Sequence, residues 1–285
     1  FLHGAIWSGL MAASGAYATA VIPPARRAEG LGYWGLASIV AIGVAPSLGF
    51  LAFRGGWPAL CLELAAINAL MTIVAWLMPD EHVVAAELAG GVAPPPTAPH
   101  PFGVEWKVIF LAASLGMISF GYGGLTSFSA LFADALGVSP RSTFLSAMAV
   151  SVIAGRLLVG RRIDTWGASV MLMISFVVPV VGLVRLATAG DRVDIAVAGL
   201  AFGAGFGLMW PSFAAYVIGT MPIARRGAAF GAILAAFDTG IGIGSATTGW
   251  MVRVHGFRAA YALAACVAAL ALPYFLLARK RLHLG

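Results

Sequence analysis

The sequence predicts an all-α transmembrane fold, a helical bundle in two pseudo-symmetric halves of which the first is incomplete. Three observations predict it. The 285 residues are 61 % hydrophobic and 10 % charged, where a soluble domain is nearer half apolar and a quarter charged. The apolar residues form long continuous runs, without the in–out alternation of barrel strands. A short pattern also recurs far along the chain, as an internal repeat does.

Lipid leaves no backbone polar group solvated, so spanning segments are helices or closed barrels. Continuous runs select helices. About nine spans follow in order, near 1–22, 33–53, 58–78, 107–132, 143–160, 168–188, 193–218, 228–250 and 258–278, each about long enough for a hydrocarbon core of roughly 30 Å. The first span opens on Phe1 without a methionine or charged leader, which suggests a fragment. Residues 1–78 are expected to be the remainder of an N-terminal bundle, with three spans. Residues 79–105 carry Asp80, Glu81, Glu87 and the run Pro94-Pro95-Pro96-Thr97-Ala98-Pro99-His100-Pro101, a polar, partly extended linker. Residues 106–285 form a six-span C-terminal bundle.

Basic residues gather in alternate loops. One set holds Arg26, Arg27, Lys107, Arg161, Arg162, Arg225, Arg226 and the tail Arg279-Lys280-Arg281; the other holds Arg54, Arg141, Arg192, Arg253 and Arg258. The richer set belongs in the cytoplasm, so the linker and C-terminus are expected inside. Arg185 and Asp134 read as interfacial.

The repeat has an offset of 199 residues, from Pro23 to Pro222. Pro23-Pro24-Ala25-Arg26-Arg27 with Gly32 matches Pro222-Ile223-Ala224-Arg225-Arg226 with Gly231. Ala41, Gly43 and Ala45 then fall on Gly240, Gly242 and Gly244, and Gly4 falls on Gly203. The two copies are parallel, and about 90 residues, or three spans, are expected before Phe1. The paired arginines read as topology anchors, with room for a gating role.

These residues resemble the major facilitator superfamily, most closely its twelve-span drug:proton antiporter branch, across spans four to twelve. His3-Gly4 matches the end of the Arg-x-x-Gln-Gly pattern that opens span four. The fifth-span pattern Gly-x-x-x-Gly-Pro-x-x-Gly-Gly stands here as Ala41-x-x-x-Ala45-Pro46-Ser47-Leu48-Gly49-Phe50, with Phe50 in place of the last glycine. Gly160, Asp164 and Gly167 match the Gly-x-x-x-Asp-x-x-Gly loop, with Thr165 where an Arg is usual. Asp238-Thr239-Gly240-Ile241-Gly242-Ile243-Gly244 is similar to span eleven of bacterial efflux members. The resemblance implies that spans one, four, seven and ten line a central cavity. Its visible candidates are Trp7, Ser14, Tyr17, Tyr122, Thr126, Ser127, Trp210 and Tyr216. Such aromatics suit an amphipathic substrate and also form interfacial belts.

Asp238 is the sharpest single residue. It lies about 18 Å along a helix from Arg226, near the bilayer midplane, where a carboxylate costs several kcal/mol unless paired, hydrated or protonated. It is a candidate proton or cation site, or a partner for Thr239 or a neighbouring helix. Glu63 is a shallower candidate that equally suits a snorkelling role. Arg156 either faces Asp238 or anchors a helix end. The stripes Gly199-x-x-x-Gly203-x-x-x-Gly207 and Gly240-x-x-x-Gly244 read as static packing, or as a seam on which two halves rock. The conformational candidates are Gly43, Pro46, Gly49, Gly160, Asp164, Gly167, Gly240 and Gly244; Pro46 removes a backbone bond in mid-span.

The function expected is proton-coupled efflux of small amphipathic or drug-like molecules by alternating access, in a bacterial inner membrane. Its partners are lipid and substrate, its energy is a proton gradient rather than a cofactor, and the full-length protein works as a monomer. An importer of sugars or organic acids on the same fold is the alternative, although Asn68 is the sole Asn or Gln. A non-transporting truncated subunit is another. Net charge is +6, but without basic patches interleaved with aromatics nucleic acid is not a partner. Cys61 and Cys266 make no disulfide framework. His3, His82, His100, His255 and His283 lack metal-site spacing. The Gly203–Gly207 run lacks the spacing of a nucleotide loop, and no nucleophile–base set marks an enzyme.

Overall fold

A computed structural model describes residues 27–79, 106–159, 168–220 and 226–282, together with Ile6, Leu10, Ser14 and Tyr17, which are helical. Eight helices follow: α1 Arg27–Phe53, α2 Trp57–Leu77, α3 Trp106–Ala135, α4 Thr143–Val159, α5 Ala168–Ala187, α6 Arg192–Thr220, α7 Arg226–Ala269 and α8 Ala271–Arg281. No strand occurs among the described residues. Five helical stretches there are long and apolar enough to cross a membrane: Trp57–Leu77, Trp106–Ala135, Ser169–Ala187, Arg192–Trp210 and Gly231–Arg281. The expected linker at 80–105 lies outside the described residues.

Local chemistry ends the helices. The last turn of α1 closes with Gly56 N–H donating to Phe53 O at 2.8 Å. Gly56 then takes φ 84°, a conformation that a Cβ disfavours, and Pro58 opens α2. Gly137 (φ 68°) ends α3. Its N–H donates to Asp134 O and that of Val138 to Ala133 O, the paired bonds of a Schellman cap. Asp191 Oδ1 accepts from Asp194 N–H at 2.8 Å and caps α6. Gly256 (φ 84°, ψ 172°) divides α7 into two helical segments, where the sequence predicts two spans. The last expected span is split again at Leu270. Pro273 has no N–H and crowds the carbonyl one turn back. By contrast α1 continues through Pro46, and α5 through Pro179.

The chain forms two compact units. Unit one holds residues 1–41 and 48–100, with α2 and most of α1. α2 has no buried residue, and apart from Glu63, Asn68 and Thr72 its side chains are apolar, which suits a helix solvated by lipid. Unit two holds 42–47 and 101–285. In it α7 packs chiefly on α3, and α6 packs on both α4 and α5.

Glycines set these approaches. A Cβ at Gly116 would lie 3.1 Å from Ala236 O; one at Gly240 would strike Gly116 O, and one at Gly244 Phe120 O. Backbone therefore meets backbone along α3 and α7. Gly199 and Gly203 sit likewise on Phe144 O and Met148 O of α4, with Gly207 on Val152. Without hydrophobic drive between helices in lipid, such contact supplies the packing energy. Both stripes pack helices together within unit two.

Candidate functional site

Three helices of unit two bring aromatic rings together. Tyr122 of α3 stacks on Phe206 of α6, with centroids 4.4 Å and planes 18° apart. Phe206 stacks in turn on Phe202 at 5.3 Å. Phe237 of α7 lies 6.3 Å from Tyr122 and 6.1 Å from Phe206. Trp210, one turn after Phe206, meets Phe237 edge-on at 5.6 Å. Stacked and edge-on pairs are the favoured aromatic arrangements.

The backbone explains the convergence. Gly205 and Gly207 let α6 close on Pro179 of α5 and Val152 of α4, while Phe206 between them reaches α3. Ser119 Oγ, fully buried on α3, donates to Phe237 O at 2.8 Å and sets the height of α7. Tyr122 and Phe206 are buried; Trp210 and Phe237 are half-buried. The cluster therefore has a closed side and an open side. Asp238 follows Phe237 and is exposed, as is Thr239. Asp238 forms no ion pair among the described residues.

The other hydroxyls on α3 are partly committed. Thr126 Oγ1 donates to Tyr122 O at 3.0 Å within its own helix. Ser127 Oγ and Ser245 Oγ share a hydrogen bond of 2.8 Å across α3 and α7. Tyr216 stands apart from the cluster. Its ring packs edge-on against Phe275 of α8 at 5.5 Å, under the Arg279 guanidinium at 5.9 Å, so it belongs to helix packing. Arg156 Nε donates to Gly207 O at 3.3 Å and ties α4 to α6.

In unit one Tyr17 Oη donates to Pro79 O at 3.2 Å, and Ser14 is half-buried. Glu63 Oε2 is buried without a hydrogen-bond partner. Gly49 lies against Leu60. Gly43 and Pro46 belong to the segment that clusters with unit two, and there Gly43 is buried against Ala149. Trp7, Gly160, Asp164 and Gly167 lie outside the described residues. Asp134 pairs with Arg141 at 2.7 Å and Arg185 with Asp194. Both pairs are at helix ends, as interfacial residues should be. Among the described residues no group of three His, Cys, Asp or Glu could hold a metal ion.

Sequence reading found Tyr122, Trp210 and Asp238 but not Phe206 or Phe237. Their signal was local: Phe206 is a large ring set between Gly205 and Gly207, and Phe237 adjoins Asp238. Chemically, the cluster offers apolar ring faces, and the carboxylate of Asp238 follows Phe237 in sequence on α7.

The family profile of the Major Facilitator Superfamily matches residues 1–199. The chain is 27 % identical over 240 residues to the MFS-type transporter YhhS of Salmonella typhimurium, covering 84 % of this chain and 56 % of that one. It is 30 % identical over 224 residues to an MFS-type transporter of Pseudomonas aeruginosa, covering 78 % and 48 %, and 26 % identical to YhhS of Escherichia coli, covering 84 % and 56 %. It spans about half the length of these curated relatives. An all-helical chain with apolar membrane-length helices, matched over most of its length by this profile, is an integral membrane protein that belongs to the Major Facilitator Superfamily.

Proposed function

We propose that the protein is a secondary active transporter that exports small amphipathic or drug-like molecules in exchange for protons. The observation that carries this reading is the cluster Tyr122–Phe206–Phe237–Trp210, with the exposed Asp238 next in sequence to Phe237 on α7. Ring faces bind flat apolar groups with few polar demands. A carboxylate at this depth is costly when charged, so it takes and releases a proton as the surrounding water changes. Transport draws on the proton gradient, without a cofactor, and the full-length protein acts as a monomer in a bacterial inner membrane. The C-terminus faces the cytoplasm, on the side favoured by basic residues.

Everted vesicles test the coupling. The Asp238→Asn variant should reach the membrane at the normal level, yet lose pH-driven dye accumulation. Normal coupled uptake by that variant would remove Asp238 from the mechanism.

A further inference from the structure

An apolar groove runs along the outside of unit two, away from the aromatic cluster. Phe176, Val177, Val180 and Val184 of α5 form one wall, and Leu272 and Pro273 of α8 the other. Its floor is the contact of Phe176 with Phe275, rings 5.5 Å apart. The outward residues of α5 continue the same face toward its start: Val170, Ile174, Val177, Val181 and Val184 are all exposed. Leu276 and Leu277 do so on α8.

This face ends in charge. The last turn of α8 carries Arg279, Lys280 and Arg281. Arg279 Nη1 donates to Ser169 Oγ at 3.0 Å, which pins the end of α8 to the start of α5. Lys280 and Arg281 are exposed and form no ion pair among the described residues. From Ser169 the groove starts about 12 Å deep at Val177 and ends about 22 Å deep at Val184, at 1.5 Å per residue. One leaflet of hydrocarbon is about 15 Å thick, so a chain anchored by its headgroup at Lys280 runs along Val170 and Ile174, and its end reaches the near edge of the groove at Val177.

We propose that this face is a binding site for an anionic phospholipid. Lys280 and Arg281 take the headgroup phosphate, and one acyl chain follows the exposed face of α5 with its end at the near edge of the groove. A zwitterionic lipid offers the same chain, but its own cation opposes the two basic side chains. The apolar groove alone would accept any lipid; the charge at its mouth supplies selectivity.

Native mass spectrometry of the full-length protein, after exchange into mixed phosphatidylglycerol and phosphatidylcholine, tests this. The wild type should retain phosphatidylglycerol preferentially. The double variant Lys280→Gln/Arg281→Gln should lose that preference by about tenfold. Arg253→Gln, which removes one exposed charge from the Gly256 corner, should keep it. A second variant, Val177→Trp, fills the groove and should lower retention of both lipids while leaving the headgroup preference. Equal retention of the two lipids by the wild type overturns the proposal. So does an unchanged preference in the double variant, or a second polypeptide or another segment of the full-length protein shielding Val177 from lipid. These readouts concern lipid retention and stand whether or not Asp238 couples transport.

Discussion

At the scale of the residue, the proposed function gives Trp210 and Asp238 separable tasks. Trp210 is half-buried and touches the cluster through the edge of Phe237. In the proposed site its removal costs one ring contact with an aromatic substrate, about 1.5 kcal/mol. Trp210→Ala should therefore raise the KM for an aromatic dye about tenfold, with the pH response of transport retained, as dye uptake at several proton gradients would show. Tyr122→Phe should do less, because the ring stack on Phe206 survives. Asp238→Asn should act on coupling instead. Tyr216 shares its helix with Trp210, and its ring packs edge-on against Phe275 of α8. Arg156 is similar, a charge in a span whose Nε meets a backbone carbonyl.

At the scale of the element, α7 carries two glycines of the same motif with opposite surroundings. Gly244 faces Phe120 O of α3, where a methyl group has no room; Gly242 faces open space. Gly244→Ala should cost about 1–3 kcal/mol through forced separation of α3 and α7. Gly242→Ala should be neutral or slightly stabilising, since alanine is the better helix former. Thermal unfolding of both purified variants in detergent would check the contrast, and a similar loss for both would refute the seam. The motif predicts small residues on this helix. Which of them meet a neighbour depends on rotation about the helix axis, and an apolar helix in lipid carries no polar face to reveal that rotation.

At the scale of the whole molecule, the two ends of the C-terminal unit differ. One end gathers the ion pairs Arg141–Asp134 and Arg185–Asp194, with Arg258 donating to Ala189 O at 3.2 Å. The other holds Arg279 on Ser169 and the exposed Lys280. Thr188 and Lys280 should thus lie on opposite faces of the membrane. With Cys61 and Cys266 replaced, Thr188→Cys should react with an impermeant maleimide in intact cells. Lys280→Cys should react only after permeabilisation. Labelling of both from outside would break the topology, and an exact reversal would invert the orientation alone.

Composition and run length by themselves determined that this chain is helical and lives in lipid. Hydrocarbon forbids unpaired backbone, and a run of about 20 apolar residues has no other stable form there. Order and spacing of small residues, Asp238 and the paired arginines carried the family. Only the tertiary structure decided that Phe206 and Phe237 join Tyr122 and Trp210, that Tyr216 does not, and that Gly240 and Gly244 rest on α3. In water, burial separates one face of a helix from the other and marks it in the sequence. In lipid all faces are apolar, so the partner of each face is selected by close fit between backbones, and that fit exists only once the helices have met.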